Sequence, residues 1–348
     1  MLGNDYNPME LDINQRLKIA LAAHHAGKYE TALENYKKII ETLPSHLEAN
    51  NNMGVIFRQT GKFQDAIAYF NKVIAIKPDF AEAHYNLGQI LHQLGKNNEA
   101  LECYKKAAIL KPNLAETFNN MGAIQSRLGR LNEAVENFKE AIKLKPDTIS
   151  SHYGLGITLQ ELGKMNEAEV CFKKAIQLKP DYAAGHFALG VIRMCQNKSK
   201  EAEICYNKAI EFKPKFPEAY LNLAIILQAN NKLEEAEKHY RIAIDFKPDY
   251  AEAYNNHGHL LQRLNKPKQA KLNYKKAIEL KPDYADAYFN QGILLQQLNE
   301  FEEAEVSFRM TIKHKPDYSE AHINLGVILK ALGKLDEAEK HYRKAIEL

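Results

Sequence analysis

The stretch Ala81–Pro112 reads AEAHYNLGQILHQLGKNNEALECYKKAAILKP, and variants of it fill the chain. The unit recurs every 34 residues from Ile13 to Leu348 without insertion or deletion. A fixed period of this length, with small residues and aromatics at constant offsets, is typical of a stacked helix–turn–helix array. We number each unit from the residue equivalent to Ala81, which is position 1, and call its two predicted helices A and B.

Three positions of the unit predict how its two helices pack. Positions 8 and 20 hold small residues in every unit, which lets the backbones approach closely, and position 24 always holds Tyr or Phe as the large apolar filler. One unit cannot bury these faces alone, so stacking on neighbours must complete the core. Position 8 is Ala20, Gly54, Gly88, Gly122, Gly156, Gly190, Ala224, Gly258, Gly292 and Gly326; position 20 is Ala32, Ala66, Ala100, Ala134, Ala168, Ala202, Ala236, Ala270, Ala304 and Ala338.

The ends of the helices are also marked. Position 15 is Gly or Asn in every unit, the two residues that most readily adopt the left-handed conformation, which predicts the turn that closes helix A. Position 32 is Pro from Pro44 to Pro316, and proline cannot continue helix B. The next helix A is expected to begin with a capping box. The pairs with that spacing are Asp79–Glu82, Asn113–Glu116, Asp249–Glu252 and Asp317–Glu320.

These features together resemble the tetratricopeptide repeat (TPR). The resemblance covers nearly the whole chain and implies an all-α, right-handed superhelical solenoid of ten repeats. Residues 1–12 are assigned to a leader or partial cap. The repeats are assigned to 13–46, 47–80, 81–114, 115–148, 149–182, 183–216, 217–250, 251–284, 285–318 and 319–348. The last repeat stops inside or at the end of helix B, so we expect either a chain cut from a longer protein or another chain covering this end.

Composition narrows the range of partners. Lys plus Arg number 47 and Asp plus Glu 44, and the net charge of +3 argues against a dedicated nucleic-acid or anionic-membrane surface. The N-terminus shows no basic region followed by an apolar run, and no stretch reaches the apolar length of a membrane span. Four cysteines without close pairing fit a reducing compartment. We therefore expect a cytoplasmic protein without a nucleic-acid or membrane partner.

The reactive side chains give no sign of catalysis. Three cysteines fall at position 23 of different repeats, without metal-ligand spacing, and four histidines fall at position 4, where TPRs typically carry a large aromatic. His257 and His259 lie two residues apart, so on a helix they point in different directions. We predict no catalytic residue, metal site or cofactor in this chain, while an enzyme domain beyond Leu348 stays open. The residues at positions 23 and 4 are Cys103, Cys171, Cys205, His84, His152, His186 and His322.

Position 6 of helix A carries the strongest functional signal, because it is Asn in seven repeats. In TPR arrays helix A lines the concave face, so these amides would form a ladder there. An amide offers both a donor and an acceptor, which matches a peptide backbone and predicts binding of an extended polypeptide. The alternative is that each Asn bonds within its own hairpin or to the next repeat. The predicted peptide-binding residues are Asn52, Asn86, Asn120, Asn222, Asn256, Asn290 and Asn324, with Arg58, His92, Arg127, Gln262, Arg263 and Gln296 at positions 12 and 13.

Neighbouring positions refine this hypothesis. Positions 12 and 13 are mostly neutral or basic, so an acidic or polar peptide suits them better than a basic one. The acids at position 2 are an alternative rim for a basic ligand, although capping explains most of them. The ladder breaks at Gly154 and Ala188. Because Gly154 and Gly185 also lower helix propensity, we expect repeats five and six to open more readily than the others.

The asparagine ladder, with openings such as AEAYNN and closings such as KAIELKPDY, is similar to the TPR superhelix of O-linked N-acetylglucosamine transferases. That resemblance implies that the seven asparagines bind substrate polypeptide, although nothing here corresponds to a glycosyltransferase domain. Chaperone-binding TPRs use a basic clamp with Lys at position 5, which this chain lacks. Three functions stay open: a scaffold for an extended polypeptide, the substrate-recruiting region of a larger polypeptide-modifying transferase, and a solenoid that self-associates through its uncapped C-terminal repeat.

Overall fold

The computed structural model describes residues 12–348, which form twenty α-helices and no strand. The helices divide into two compact units, Met1–Lys179 and Pro180–Leu348, which we call the first and second units. The first contains α1 Ile13–His25, α2 Tyr29–Thr42, α3 Leu47–Gln59, α4 Phe63–Ile76, α5 Ala81–Gln93, α6 Asn97–Leu110, α7 Ala115–Arg127, α8 Leu131–Leu144, α9 Ile149–Glu161 and α10 Met165–Leu178. The second contains α11 Ala183–Cys195, α12 Ser199–Phe212, α13 Pro217–Ala229, α14 Leu233–Phe246, α15 Ala251–Arg263, α16 Pro267–Leu280, α17 Ala285–Gln297, α18 Phe301–His314, α19 Ser319–Ala331 and α20 Leu335–Glu347.

Each odd-numbered helix is a helix A and each even-numbered helix is its helix B, so the described helices form ten hairpins, five in each unit. The all-α repeat fold predicted from the sequence is therefore confirmed. Residues 1–11, most of the predicted leader, lie outside the described residues. None of the described helices combines the length and the apolar composition that crossing a membrane requires.

The turn that closes helix A has the geometry predicted from position 15. Gly95 has a φ of +76° and Asn265 a φ of +56°, both left-handed. The amide of Gly95 donates to the carbonyl of His92 at 3.0 Å, and the amide of Lys96 donates to the carbonyl of Leu91 at 2.8 Å. These two bonds form a Schellman motif, which satisfies the last carbonyls of the helix.

Packing inside a hairpin depends on the small residues at positions 8 and 20. The ten alanines at position 20 are almost or completely buried, from Ala32 to Ala338. A Cβ atom added to Gly88 would lie 2.9 Å from the ring of Tyr104, the position-24 aromatic of the same repeat. Replacing Gly88 with alanine would therefore require this buried ring to shift.

The start of helix A corrects one expectation. The N-cap residues of α5, α7, α15 and α19 are Phe80, Leu114, Tyr250 and Tyr318, and none makes a side-chain capping bond. The prediction of capping boxes is therefore wrong. Each of these helices begins one residue later than predicted, and its N-cap side chain forms no capping bond. Three position-2 glutamates, Glu82, Glu116 and Glu218, instead pair with the lysine before the proline of the same repeat. Glu82 binds Lys111 at 2.9 Å, and Glu116 binds Lys145 at 3.2 Å.

The histidines at position 4 take part in the same region, where helix B ends and the next helix A begins. His84, His152 and His186 are buried, and in each the Nε2 atom lies 2.8 Å from the carbonyl oxygen of the proline six residues earlier. The ring therefore ties the turn to the first turn of helix A. Their prediction as packing residues is confirmed, and the structure adds this hydrogen bond.

Position 21 of helix B differs between the two units. In the first unit it is apolar in four of five repeats, and Leu101 lies in one core cluster with Met121 and Ile124 of the next repeat. In the second unit the position is charged in every repeat, and in three repeats it pairs with position 16 of the next repeat. Those ion pairs are Glu237–Lys266 at 2.8 Å, Glu305–Lys334 at 2.8 Å and Lys271–Glu300.

Candidate ligand-binding face of the A helices

Side chains at positions 5, 6, 9, 12 and 13 of the A helices share one side of each unit, which we call the A-helix face. The residues that line four clefts belong mainly to these positions. In the first unit, one cleft of about 470 Å³ is lined by Asn119, Arg127 and Tyr153, and a smaller one by Tyr85 and Asn120. In the second unit, clefts of about 270 Å³ and 440 Å³ are lined by residues that include Asn256 and Asn290, respectively, and Arg263 lines both.

The asparagines at position 6 are half-buried, and each has an internal contact. The Nδ2 atoms of Asn120 and Asn222 lie 3.4 Å from the hydroxyl oxygens of Tyr104 and Tyr206, which are the position-24 tyrosines of the preceding repeats. Burial raises the pKa of Tyr36, which lies beside Asn52, to about 12, and it also raises the pKa of Tyr104 and Tyr206 well above the usual range. These hydroxyls are therefore neutral groups that accept a hydrogen bond at the base of the A-helix face.

Two further asparagines bond along the array. Asn86 donates to the Oδ1 atom of Asn51 at 3.3 Å, and Asn290 donates to the Oδ1 atom of Asn255 at 3.0 Å. In each pair the acceptor is the position-5 residue of the preceding repeat. Asn256 accepts a bond from Asn255 at 3.4 Å.

Asn324 is different, because it donates to the carbonyl of Glu320 in its own helix at 2.7 Å. The internal bonding that the sequence left open is therefore present in the structure. An amide has two N–H groups and two acceptor lone pairs, so one internal bond leaves most of its capacity for a ligand. The ligand contacts of all seven asparagines stay a prediction.

The gap in the ladder at Gly154 has a packing reason. A Cβ atom at Gly154 would lie 2.5 Å from the Cζ atom of Phe138, and one at Gly122 would lie 3.0 Å from the Cγ atom of the same ring. The buried ring is held between two glycines and cannot move aside. Where position 24 is Phe138 there is also no hydroxyl for an asparagine to bind.

Positions 12 and 13 form bridges between successive A helices that the sequence reasoning missed. Gln262 donates to Gln297 at 2.7 Å, and the side chains of Gln228 and His259 lie 2.9 Å apart. Arg263 donates to the carbonyl of Gln228 at 3.2 Å and to the Oδ1 atom of Asn231 at 3.1 Å. Gln296 lies half-buried on the same face. The partners in these four bonds lie 31 to 35 residues apart, close to one repeat period, and that spacing between polar residues is the signal that could have found them.

Arg58, His92 and Arg127 occupy positions 12 and 13 in the first unit. The Nη1 atom of Arg127 lies 3.5 Å from the Nε2 atom of His92. Burial lowers the pKa of His92, and the charge of Arg127 lowers it further. The Nε atom of Arg58 and the Nδ1 atom of His92 are buried and have no hydrogen-bond partner.

Positions 5 and 9 supply apolar side chains to the same face, and the sequence reasoning did not include them among the binding residues. Phe289 and Ile293 line the cleft that contains Asn290, and Tyr153 and Ile157 line the cleft beside Gly154. Val327 is 40% exposed at position 9 of the last repeat. Apolar residues exposed at a regular interval on the face with the clefts are a signal that could have identified them.

No group of three or more His, Cys, Asp or Glu side chains that could hold a metal ion occurs within residues 12–348. His257 is buried and its Nδ1 atom lies 3.2 Å from the Oδ1 atom of Asn273, whereas His259 is exposed on the A-helix face. The two rings therefore point in different directions, as their spacing predicts.

Comparison with known families identifies the repeat. Family models described as TPR repeat and tetratricopeptide repeat match residues 54–95, 79–147, 114–181, 183–216, 205–238, 226–265, 251–284, 273–306 and 319–348. The chain belongs to the tetratricopeptide repeat family. TPR repeats are typical of proteins that bind protein or peptide partners. A search of curated proteins returned no match.

Two solved structures with TM-scores above 0.5 support the same fold. A TPR protein from Parabacteroides merdae is 20% identical with a TM-score of 0.56, and the alignment covers 72% of this chain and 98% of that one. Pseudomonas aeruginosa PilF is 21% identical with a TM-score of 0.52, covering 56% and 88%. YrrB, described as a TPR protein with an unusual peptide-binding site, is 22% identical with a TM-score of 0.45, covering 54% and 96%. These findings do not show a specific likeness to the repeats of O-linked N-acetylglucosamine transferases, which stays a prediction.

Proposed function

We propose that this TPR chain binds an extended polypeptide along the A-helix face of its units. The observation that carries the proposal is the position of the clefts. Three of the four described clefts are formed mainly from positions 5, 6, 9, 12 and 13 of the A helices, and the fourth takes half of its lining residues from them, so this face carries clefts in both units. An extended polypeptide is also a periodic ligand, with a backbone donor and acceptor in nearly every residue.

The side chains of the face suit such a ligand. Amides at position 6 offer hydrogen bonds to a backbone, and apolar side chains at positions 5 and 9 contact alternate ligand side chains. Asn290 with Phe289 and Ile293 is one such combination in a cleft of about 440 Å³. Pockets that combine a few placed polar groups with apolar walls are typical binding sites.

The test replaces Asn256, Asn290 and Asn324 with Ala in the full chain. An array of immobilised 15-residue peptides of varied sequence supplies the probe. Each lost hydrogen bond costs about 1 kcal/mol of binding free energy, so binding to the array should fall by a factor of at least ten. Because these amides also bond internally, we expect the melting temperature to fall by only a few degrees.

The matched control is Asn71→Ala with Asn207→Ala, which removes two exposed amides from B helices. The control should bind the array as the wild type does. A large fall in melting temperature without loss of binding would show that the asparagines hold the fold and do not bind a ligand.

A further inference from the structure

The A-helix face of the first unit carries a row of cationic and imidazole side chains. Arg58 in α3, His92 in α5 and Arg127 in α7 lie on three successive A helices. Neither arginine forms an ion pair with a carboxylate in the described part of the chain, whereas Lys96 and Lys111 do. Cations held on one face without a carboxylate raise the local concentration of anionic groups.

Two buried polar atoms of this row make no hydrogen bond within the fold. The Nε atom of Arg58 and the Nδ1 atom of His92 are buried without a hydrogen-bond partner. A buried polar atom without a partner costs free energy, and a ligand that binds beside it can recover that cost. Arg127 is exposed, its Nη1 atom lies 3.5 Å from the ring of His92, and it forms no ion pair within the described residues, so its guanidinium can bind a carboxylate or phosphate in a bidentate manner.

Two acidic side chains lie near the row, and within residues 12–348 neither forms an ion pair with its arginines. Glu116 lines the neighbouring small cleft but pairs with Lys145 at 3.2 Å. Glu161 lines the cleft that also contains Arg127, one repeat further along, and marks the end of the basic row. Ser126, Ser150 and Asn119 line that cleft as well and add neutral hydrogen-bonding groups.

The equivalent positions of the second unit carry side chains of a different chemical character. Arg263 occupies position 13, as Arg127 does, and its guanidinium already donates to the carbonyl of Gln228 and to Asn231. Position 12 is Gln in three of its repeats, and positions 5 and 9 are mostly apolar. An anionic segment therefore fits the first unit better than the second.

We infer that the first unit binds a polypeptide segment bearing anionic side chains, through Arg58, His92 and Arg127. The inference rests on the proposed function and adds the chemistry of the ligand. Packed helices lie about 8–10 Å apart, and an extended chain advances about 3.3–3.6 Å per residue. Successive repeats therefore meet residues about three apart in the ligand. Aspartate, glutamate and phosphoserine supply the same chemistry.

Fluorescence anisotropy with the full chain tests this. The probes are fluorescein-labelled 13-residue peptides with Glu, phosphoserine or Gln at every third position of one Ser/Ala background. At low salt we expect the better anionic probe to bind at least tenfold more tightly than the Gln probe, with the preference shrinking at high salt. The ratio of the Glu and phosphoserine affinities identifies which anion the row prefers.

Three variants test which arginines produce the preference for the anionic probes. Arg58→Gln with Arg127→Gln should remove the preference, and Arg58→Lys with Arg127→Lys should keep part of it. Arg241→Gln is the matched control and should keep all of it, because that arginine is exposed on the B helix α14 and lines none of the described clefts. Arg127→Gln alone changes an exposed side chain and serves if the double variant is unstable.

The outcomes separate this inference from the proposed function. Equal binding of the anionic and Gln probes, or a preference that survives in the double Gln variant, overturns the inference and leaves polypeptide binding in place. Failure of every peptide to bind overturns both. Tighter binding of an oligo-dT strand, through the same two arginines, would show that the row binds nucleic acid and would also overturn the inference.

Discussion

The two units join their repeats by different interactions at the same position. In the first unit, Leu101 and Val135 are buried at position 21, and Leu101 lies in the core with residues of the next repeat. In the second unit, Glu237 and Glu305 form ion pairs with a lysine 29 residues later. One backbone arrangement is thus supported by apolar burial in one unit and by charge pairing in the other.

The difference shows what each interaction contributes. Burial of a leucine contributes more free energy, but it accepts any apolar partner of similar size. A half-exposed ion pair contributes little free energy, but each of its residues requires a partner of opposite charge. The second unit even reverses the signs once, with Lys271 at position 21 and Glu300 at position 16.

Among the variants that test this difference between the units, Leu101→Ala should cause the largest loss of unfolding free energy. Leu101 is 2% exposed, and truncation of a buried leucine costs about 2–4 kcal/mol of unfolding free energy. The equivalent change in the second unit, Glu237→Ala, should cost less than about 1 kcal/mol because Lys266 remains solvated. Urea unfolding followed by circular dichroism measures both. Equal losses would show that the two junctions are energetically the same.

Reversing one charge should give a smaller effect that can be rescued. Lys271→Glu places a carboxylate against Glu300 and Glu303, both of which bind Lys271 in the wild type. We expect a loss of about 1 kcal/mol of unfolding free energy at low salt, which shrinks at high salt. Glu300→Lys added to it recreates the sign order of the Glu237–Lys266 junction and should recover most of the loss. If the double variant is no more stable than Lys271→Glu, the signs of these two charges do not determine the stability of the junction.

Acid should weaken the second unit more than the first. Burial lowers the pKa of His239, His257 and His341 in the second unit and of His92 in the first. A lowered folded-state pKa means that the unfolded chain binds protons first. The stability is therefore complete above about pH 6.5 and is lost as the pH falls from there through the folded-state values.

Hydrogen exchange at pH 7 and pH 5.5, corrected for intrinsic rates, measures this difference for each unit. We expect protection of the second unit to fall by more than that of the first. His239→Gln with His257→Gln should reduce the difference. If both units lose protection equally, the buried histidines do not control the response to acid.

The smallest effect concerns the two repeats with glycine inside helix A. Gly154 lies in α9 and Gly185 in α11, and each lowers helix stability by roughly 1 kcal/mol relative to Ala. Amides of α9 and α11 should therefore exchange about fivefold faster than those of α5 and α15. Equal protection in these four helices would show that packing, such as that of Phe138 against Gly154, offsets the glycine.

The sequence was sufficient for everything that depends on residues close together in the chain. Gly95 and Asn265 mark turns because their conformational freedom is local, and Ala100 marks the close approach of two helices in one hairpin. The sequence was insufficient for the partners of Asn120 and Glu82. Those bonds depend on a tyrosine 16 residues earlier and a lysine 29 residues later, and their geometry is set only when the helices pack.

The predicted capping boxes were wrong for a related reason. The spacing from Asp79 to Glu82 is compatible with a cap, but helix α5 begins one residue later than that cap requires. Once Lys111 lies beside Glu82, the carboxylate pairs with it, and burial only partly opposes the resulting fall in the pKa of Glu82. A competing partner distant in sequence overrode a local pattern.

The reversed ion pair of Lys271 and Glu300 also bears on how a chain of near-identical repeats folds correctly. Ten similar hairpins present similar stacking faces, so a folding chain can skip a repeat and pack against the wrong neighbour, a characteristic failure of repeat proteins. If the hairpin that carries Glu237 were to stack on the one that carries Glu300, two carboxylates would meet. If the hairpin that carries Lys271 were to stack on the one that carries Lys334, two ammonium groups would meet. The alternation of charge sign therefore disfavours arrangements in which a repeat is skipped during folding, and it costs the folded chain little stability.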